Sequence, residues 1–214
     1  MKHPVRLPLI SLAMCFALGA TNGASAFELP ADLPMRSEGL WIIDQKSTIS
    51  DGETTIEIQK IWNACLDNRS DRALHELEVR EQQSNIASLN KTCEEPQPSI
   101  SGNVLFWTMH CSGPLSAGGK TGVSDVRHTT TFVTGDETRA ESVIVNRDKL
   151  IPSHGQFFTH MKRVSACSGE SKPGDMVLMH WRANGEETLK ARQIRNVYDE
   201  IANHKTLTAS PLGR

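Results

Sequence analysis

The stretch that decides the fold is GLWIIDQKSTISDGETTIEIQKIW, residues 39–62. Large apolar and β-branched residues stand on both sides of Asp51-Gly52, and Asp-Gly between two such runs is a strong short-range signal for a β-hairpin. The second run, 56–62, alternates with the period of a half-buried strand. With a two-residue turn, paired residues have numbers summing to 103, which sets Trp41 opposite Trp62 as an aromatic cross-strand pair.

The rest of the chain continues this pattern of short strands and turns. Further strands are predicted on either side of the turn Ser101-Gly102-Asn103 and later in the chain, over 86–93, 104–109, 122–133, 138–145, 156–164 and 176–181. Many strands at short spacing, joined by Gly- and Asp-containing turns, indicate one antiparallel meander sheet that could curl toward a barrel. The predicted fold class is therefore mainly β.

Two segments depart from the strand pattern and predict helices. Helix formers at 73–78, in a polar stretch after Cys65, predict a short inserted surface helix that begins near Ser70. Farther on, Asn184-Gly185 is expected to end the sheet, and Glu186-Glu187 to form the acidic first turn of a C-terminal helix. We expect that helix to cover a face or edge of the sheet, with docking of a partner protein as the alternative, through a stripe of Ile194, Val197, Tyr198 and Ile201.

The first 26 residues have the three-part layout of a secretory signal peptide. Lys2 and Arg6 give a basic start, 7–20 is apolar, and Ala24-Ser25-Ala26 is a small-residue cleavage site. Outside this segment no apolar run approaches the roughly 20 residues of a membrane span. We therefore predict a soluble periplasmic protein with three parts: a signal peptide at 1–26, a disulfide-stapled β domain at 27–183, and a C-terminal helix with a loose tail at 184–214.

The charge balance of the chain limits its partners. Cleavage after Ala26 would leave 188 residues with 21 basic and 25 acidic side chains, a net charge of −4. This mildly acidic balance argues against nucleic acid or an anionic membrane surface as the main partner. A chain of this length is sufficient for one domain with a substantial core.

Four cysteines remain after the signal peptide: Cys65, Cys93, Cys111 and Cys167. No two of them are separated by only two residues, so the spacing fits neither a zinc knuckle nor a thioredoxin-type redox pair. Cys93 and Cys111 lie equally far from Gly102, so a hairpin centred there brings them face to face. We therefore predict two structural disulfides, Cys93–Cys111 and Cys65–Cys167.

The chain resembles an exported bacterial family, the domain of unknown function 3617 family. The matching positions are Glu38-Gly39-Leu40-Trp41, Ala64-Cys65-Leu66, Cys93, Ser101-Gly102-Asn103, Trp107, Cys111 and Cys167. The chain departs from the family in the charged insert after Cys65 and in the helical extension after Cys167. The resemblance implies an envelope location and a compact β-rich domain, and it implies no chemistry.

Three tryptophans are the candidate ligand-contacting residues. Trp41, Trp62 and Trp107 lie on predicted strands and could share one face of the sheet. Ordinary core packing is the favoured interpretation. The alternative is a concave sheet, lined by these three side chains, that holds an apolar small molecule.

The remaining polar residues do not form a recognisable catalytic or metal motif. The chain contains no Gly-x-Ser-x-Gly elbow, and no cofactor or metal is predicted, because the candidate ligands are dispersed: His110, His128, His154, His160 and the pairs Met109-His110 and Met179-His180. We expect a non-catalytic binding or structural envelope module for a small apolar ligand or a protein partner. The alternative is a periplasmic enzyme or metal-binding protein, which three or more histidines or carboxylates meeting in one cleft would favour.

Overall fold

The computed structural model describes residues 27–114, 121–147, 153–169 and 171–209. The predicted signal peptide and the end of the predicted tail, 210–214, lie outside these ranges. Over the described residues the chain forms one open, antiparallel sheet with two helices, which confirms the predicted fold class. Neither of these helices combines the length and the hydrophobicity required to cross a lipid bilayer.

The elements follow one another along the chain in an order that places a long helix after the first hairpin. They are β1 (Gly39–Ser50), β2 (Thr55–Leu66), α1 (Asn68–Ala87), β3 (Thr92–Cys93), β4 (Ser99–Ser101), β5 (Val104–Pro114), β6 (Thr121–Thr134), β7 (Glu137–Asn146), β8 (His154–Ser165), β9 (Asp175–Ala183), β10 (Glu186–Glu187), β11 (Gln193–Asn196) and α2 (Val197–Ala209).

The strand order shows how the sheet is assembled from two parts. Its order is β10-β9-β2-β1-β8-β7-β6-β5-β3, while β4 adds to β5 and β11 adds to β9. Strands β5 to β8 form the predicted meander, and the β1–β2 hairpin lies between β8 and β9. Along β5 and β6 nearly every second side chain is buried, so that one face of the sheet carries the core.

The first hairpin is present, but its predicted register is wrong. Trp62 lies opposite Ile43 rather than Trp41, because the connecting loop, residues 51–54, is centred on Gly52-Glu53 instead of Asp51-Gly52. Asp51 closes this loop: its Oδ1 accepts hydrogen bonds from the backbone N–H groups of Glu53 (3.1 Å) and Thr54 (2.8 Å). An aspartate side chain that caps its own turn in this way stabilises a longer loop than the Asp-Gly pair suggests.

Helix α1 is longer than the short helix that the sequence predicts. It begins after a capping box in which Asp67 accepts from the Ser70 N–H and the Ser70 hydroxyl accepts from the Asp67 N–H. It continues to Ala87, so the strand predicted over 86–93 is wrong except at Thr92–Cys93. The helix buries many polar residues, and for this reason its inner face lacks the apolar stripe by which such helices are predicted.

The C-terminal segment also differs from the prediction. Asn184 and Gly185 both have positive φ (49° and 83°), the conformation of a two-residue hairpin turn. They join β9 to β10, so Glu186-Glu187 are a strand and the helix begins only at Val197. Ile194 lies in β11 and is 66 % exposed, whereas Val197 and Ile201 are buried in the core beside α1, as expected for a covering helix.

Two disulfides fasten the fold, and they join the two pairs predicted from the sequence. Cys93 and Cys111 are opposite each other on β3 and β5, with a sequence separation of 18. Cys65 and Cys167 have Cα atoms 5.5 Å apart across a sequence separation of 102. The second disulfide links the end of β2, just before α1, to the segment between β8 and β9.

Gly39 has a physical role in the Glu38-Gly39-Leu40-Trp41 motif. Its φ is +145°, and a Cβ atom there would overlap the carbonyl oxygen of Ser165 and lie 2.7 Å from Nε of Arg163. The pairing of β1 with β8 is irregular at this point, between Leu40 and Trp41. Only glycine allows β8 to approach the start of β1 so closely.

Candidate functional site

A cavity of about 600 Å³ lies between the inner face of the sheet and helix α1. Its lining comes from β1, β2, β6, β7 and β8 on the sheet side, from the second half of α1, and from Arg195 and His204 near the C-terminus. This volume is within the range of about 300–1,000 Å³ that small-molecule sites occupy. The cavity is therefore large enough for a drug-sized ligand.

The sheet side of the cavity carries an apolar cluster set among polar side chains. Side chains from four strands form it, and these are Ile49, Ile58, Ile144, Phe157 and Phe158. Gly155 makes room for one of them, because a Cβ atom at this position would lie 2.8 Å from the ring of Phe157. Ile86 and Leu89, near the end of α1, extend the apolar surface to the other side.

Helix α1 provides a polar wall. Glu78, Glu81, Gln82 and Asn85 all line the cavity, and their spacing of three, four and seven residues puts them on one face of the helix. All four side chains carry a carboxylate or amide oxygen, and three of them, at 78, 81 and 82, lie within about one helical turn. The cavity thus combines an apolar cluster on the sheet with a row of hydrogen-bond acceptors on the helix.

Glu78 lies between two imidazole rings. Its Oε2 is 3.6 Å from Nδ1 of His75 and 3.6 Å from Nε2 of His128, beyond hydrogen-bond distance in both cases. Burial alone would raise the pKa of Glu78, but the interactions with His75, His128 and Arg36 outweigh it and hold that pKa below its usual value. The carboxylate is therefore charged, and its Oε2 has no hydrogen-bond partner among the described residues.

His128 is fixed in one orientation at the floor of the cavity. Its Nδ1 is 2.7 Å from the Ser142 hydroxyl, its Nε2 is 2.8 Å from the Thr130 hydroxyl, and its ring stacks on Trp107 with centroids 4.6 Å apart. Burial lowers the pKa of His128 to about 4, although the Glu78 charge opposes this. At neutral pH the imidazole is consequently uncharged.

The pKa of Glu81 shifts in the opposite direction to that of Glu78. Burial raises the pKa of Glu81 to about 7; Lys60 and Arg195 lower it, while the negative charges of Glu78 and Glu200 raise it. Near neutral pH this carboxyl group exchanges between its acid and its carboxylate. The two carboxyl groups thus differ in pKa, because nearby interactions outweigh burial at Glu78 but not at Glu81.

An ion pair behind the cavity wall supports His75. Arg36 and Asp71, both almost fully buried, form this pair, and Nη2 of Arg36 is 3.2 Å from Nε2 of His75. Arg36 comes from the extended lead-in before β1, so the contact ties that segment to α1. Because a buried ion pair is stable only when both partners are present, this contact fixes the rotation of α1 about its axis.

Lys46, Lys60 and Arg195 are the lysines and arginines that line the cavity, and two of them contact other side chains. Nη1 of Arg195 is 2.9 Å from a Glu200 oxygen, and its guanidinium lies 5.5 Å from the centre of the Trp62 ring. Nζ of Lys60 lies 5.6 Å from the centre of the Trp181 ring, and the charge of Lys60 also acts on Glu81. These contacts leave Glu78 as the charged group whose oxygen lacks a donor.

The three tryptophans predicted as ligand-lining candidates do not line this cavity. Trp41 and Trp107 are 0 % and 1 % exposed and belong to the core. Trp62 lines only a second cavity of about 30 Å³ and donates a hydrogen bond to Gln45 (3.0 Å). These three tryptophans are thus core residues.

Of the histidines considered as metal ligands, His128 and His154 line the cavity, while His110 and His160 pair with carboxylates elsewhere. Across the ranges that the structure describes, no group of three or more His, Cys, Asp or Glu side chains could hold a metal ion.

Glu78, Glu81 and Gln82 were not predicted as site residues. Their spacing on one helical face was the available signal, but in sequence it looks the same as a solvated helix surface.

Fold and cavity together define a class of architecture: an open antiparallel sheet with a cavity between one of its faces and a long helix. No protein-family model matches the chain, and no curated protein matches it. Among solved structures, the S-type phycobiliprotein lyase CPES from Guillardia theta matches with a TM-score of 0.28 and 10 % identity, over 61 % of this chain and 90 % of that one. At this TM-score the match supports no conclusion about this chain.

Proposed function

We propose that the protein binds a small amphipathic molecule in the cavity between the sheet and α1. The observation that carries the proposal is the cavity itself, about 600 Å³, in which an apolar cluster of strand residues, set among polar ones, faces the polar side chains of one helix. Specific small-molecule sites combine a mostly apolar lining with a few placed polar groups. An apolar body would lie against Phe157 and Ile144, and a polar end would face α1.

Location and family are part of the same proposal. The segment at 1–26, the two disulfides and the motif around Gly39 support a periplasmic protein related to the domain of unknown function 3617 family.

A cavity-filling variant tests binding. Ala140 lines the cavity on β7, so Ala140→Trp should fill much of it, whereas Val145→Trp places the same ring on the outer face, where Val145 is 38 % exposed. The uncharged dye Nile red serves as the probe, and native mass spectrometry of the periplasmic protein detects a co-purified ligand. Wild type and V145W should bind the dye saturably and A140W should not. Equal binding by the two tryptophan variants would contradict the proposal.

A second candidate function is catalysis, which the meeting of His128, Glu78 and Glu81 in one cleft favours. The Ser142 hydroxyl, the neutral His128 ring and the Glu78 carboxylate lie in a row that could activate the hydroxyl as a nucleophile. However, Ser142 is in mid-strand, paired on both sides by β6 and β8, so the sheet occupies the backbone amides that would stabilise an oxyanion. Hydrolysis of p-nitrophenyl acetate that Ser142→Ala abolishes would favour catalysis over binding.

A further inference from the structure

Two hydrogen-bond acceptors in the cavity wall have no donor within hydrogen-bond distance, and the ring nitrogens nearest to Glu78, on His75 and His128, stay 3.6 Å away. Oε1 of Gln82 is buried without a partner, its residue being 9 % exposed, and Oε2 of Glu78 is in the same state. The two residues are one turn apart on α1, and both line the cavity. A buried acceptor without a partner has a desolvation cost, so a donor placed between the two would be strongly favoured.

The chemistry of the missing donor follows from these two oxygens. An ammonium group offers three N–H donors and no acceptor, and it also balances the charge of Glu78. A hydroxyl group offers one donor and leaves the charge unbalanced. A carboxylate offers only acceptors, which would face two further acceptors. Among the positive side chains nearby, Arg195 is paired with Glu200 and Lys60 acts on Glu81. Arg36, whose charge acts on Glu78, is paired with Asp71, and Lys46 is exposed.

We infer that the ligand is an amphipathic amine, whose protonated amino group is held by Glu78 and Gln82 while its apolar body packs against the sheet wall. This inference rests on the proposed binding function and names its ligand class. A charge-assisted hydrogen bond in a partly buried site is about twice as strong as a neutral one, so the head group should dominate selectivity.

The experiment compares three probes with the same apolar tail: decylamine, decanol and decanoic acid, titrated calorimetrically into the full mature protein at neutral pH. Decylamine should bind about tenfold or more tightly than decanol, and decanoic acid weakest. Glu78→Gln should remove most of the preference for the amine. Glu141→Gln, which removes a carboxylate from the exposed outer face of β7, should leave it unchanged.

A second variant keeps the test decisive if Glu78→Gln does not fold. Gln82→Met has a similar length without the amide oxygen, and it should weaken decylamine binding severalfold. Equal or tighter binding of decanol or decanoic acid by wild type would overturn the amine inference while the binding function stands. Failure of all three probes and of Nile red would overturn both.

Discussion

Replacing Glu81 by Gln should change how the stability of the protein depends on pH. Burial raises the pKa of Glu81 from 4.5 to about 7 in the folded protein. Between these values the folded state holds a proton that the unfolded chain has released, so the free energy of unfolding falls as the pH rises. The stabilising effect of the protonated group is complete below pH 4.5 and is lost above about pH 7.

His128 acts in the opposite direction over nearly the same range. Burial lowers its pKa from 6.5 to about 4, so the unfolded chain binds a proton that the folded protein does not. The free energy of unfolding therefore rises with pH across this interval, and the contribution is lost as the pH falls through about 4. In the wild-type protein the two trends largely cancel between about pH 4.5 and 6.5.

The size of the effect follows from the two pKa differences. At 1.36 kcal/mol per pKa unit, each group contributes at most about 3 kcal/mol. A neutral amide at position 81 removes the pH dependence due to Glu81 and leaves the one due to His128. Glu81→Gln should therefore gain up to about 3 kcal/mol over wild type above about pH 7, with a visible rise in stability between about pH 4 and 6.5 that wild type lacks.

Urea unfolding with the disulfides intact, followed by tryptophan fluorescence from about pH 4 to about pH 8, measures this difference. Glu141→Gln is the control, since it removes a carboxylate that is exposed on the outer face of the sheet. Parallel curves for Glu81→Gln and wild type across the whole range would refute the raised pKa of Glu81.

Two further predictions concern the scaffold. Gly113→Ala should lower the free energy of unfolding by about 1–3 kcal/mol, because the new Cβ would overlap the carbonyl oxygen of Asn90 and lie 2.8 Å from the Lys91 Cα. Urea denaturation measures it, and an unchanged midpoint would show that the neighbouring loop can yield. The double variant Cys65→Ala/Cys167→Ala should cost about 4–5 kcal/mol, more than the roughly 3 kcal/mol expected for the shorter disulfide loop. The same denaturation, applied to a variant that lacks the Cys93–Cys111 disulfide, should show the smaller of the two losses. Equal losses would contradict the loop-length argument.

Local sequence signals were sufficient for the sheet but not for its exact pairing. Alternating residues and turn sequences predict β6, β7 and β8 within a few positions, because each side chain's face is set by its own strand. The first hairpin was displaced by two residues because the side chain of Asp51 bonds within its own loop. Such a contact depends on the turn geometry and is not contained in the Asp-Gly pattern.

The cavity could not be predicted because its residues are brought together by tertiary contacts. Helix α1 was expected to be short and superficial, since Asp71, His75 and Gln82 are residue types that normally face water. The first two are buried beside Arg36, from a distant segment, which pairs with Asp71 and contacts His75. The hydrophobic periodicity of the α1 sequence carries no information about a distant partner such as Arg36.

The division of the cavity between one helix and one sheet has a consequence for engineering. The side chains at 78, 81 and 82 belong to α1, whose backbone hydrogen bonds are independent of those between the strands. Substitutions there should therefore change the head group that the proposed site prefers without disturbing strand pairing. On the proposed binding function, strand positions such as Ile49 and Ile144 would in turn set the length or width of the bound tail. The molecule thus offers a frame for designed biosensors in which polarity and shape are adjusted separately.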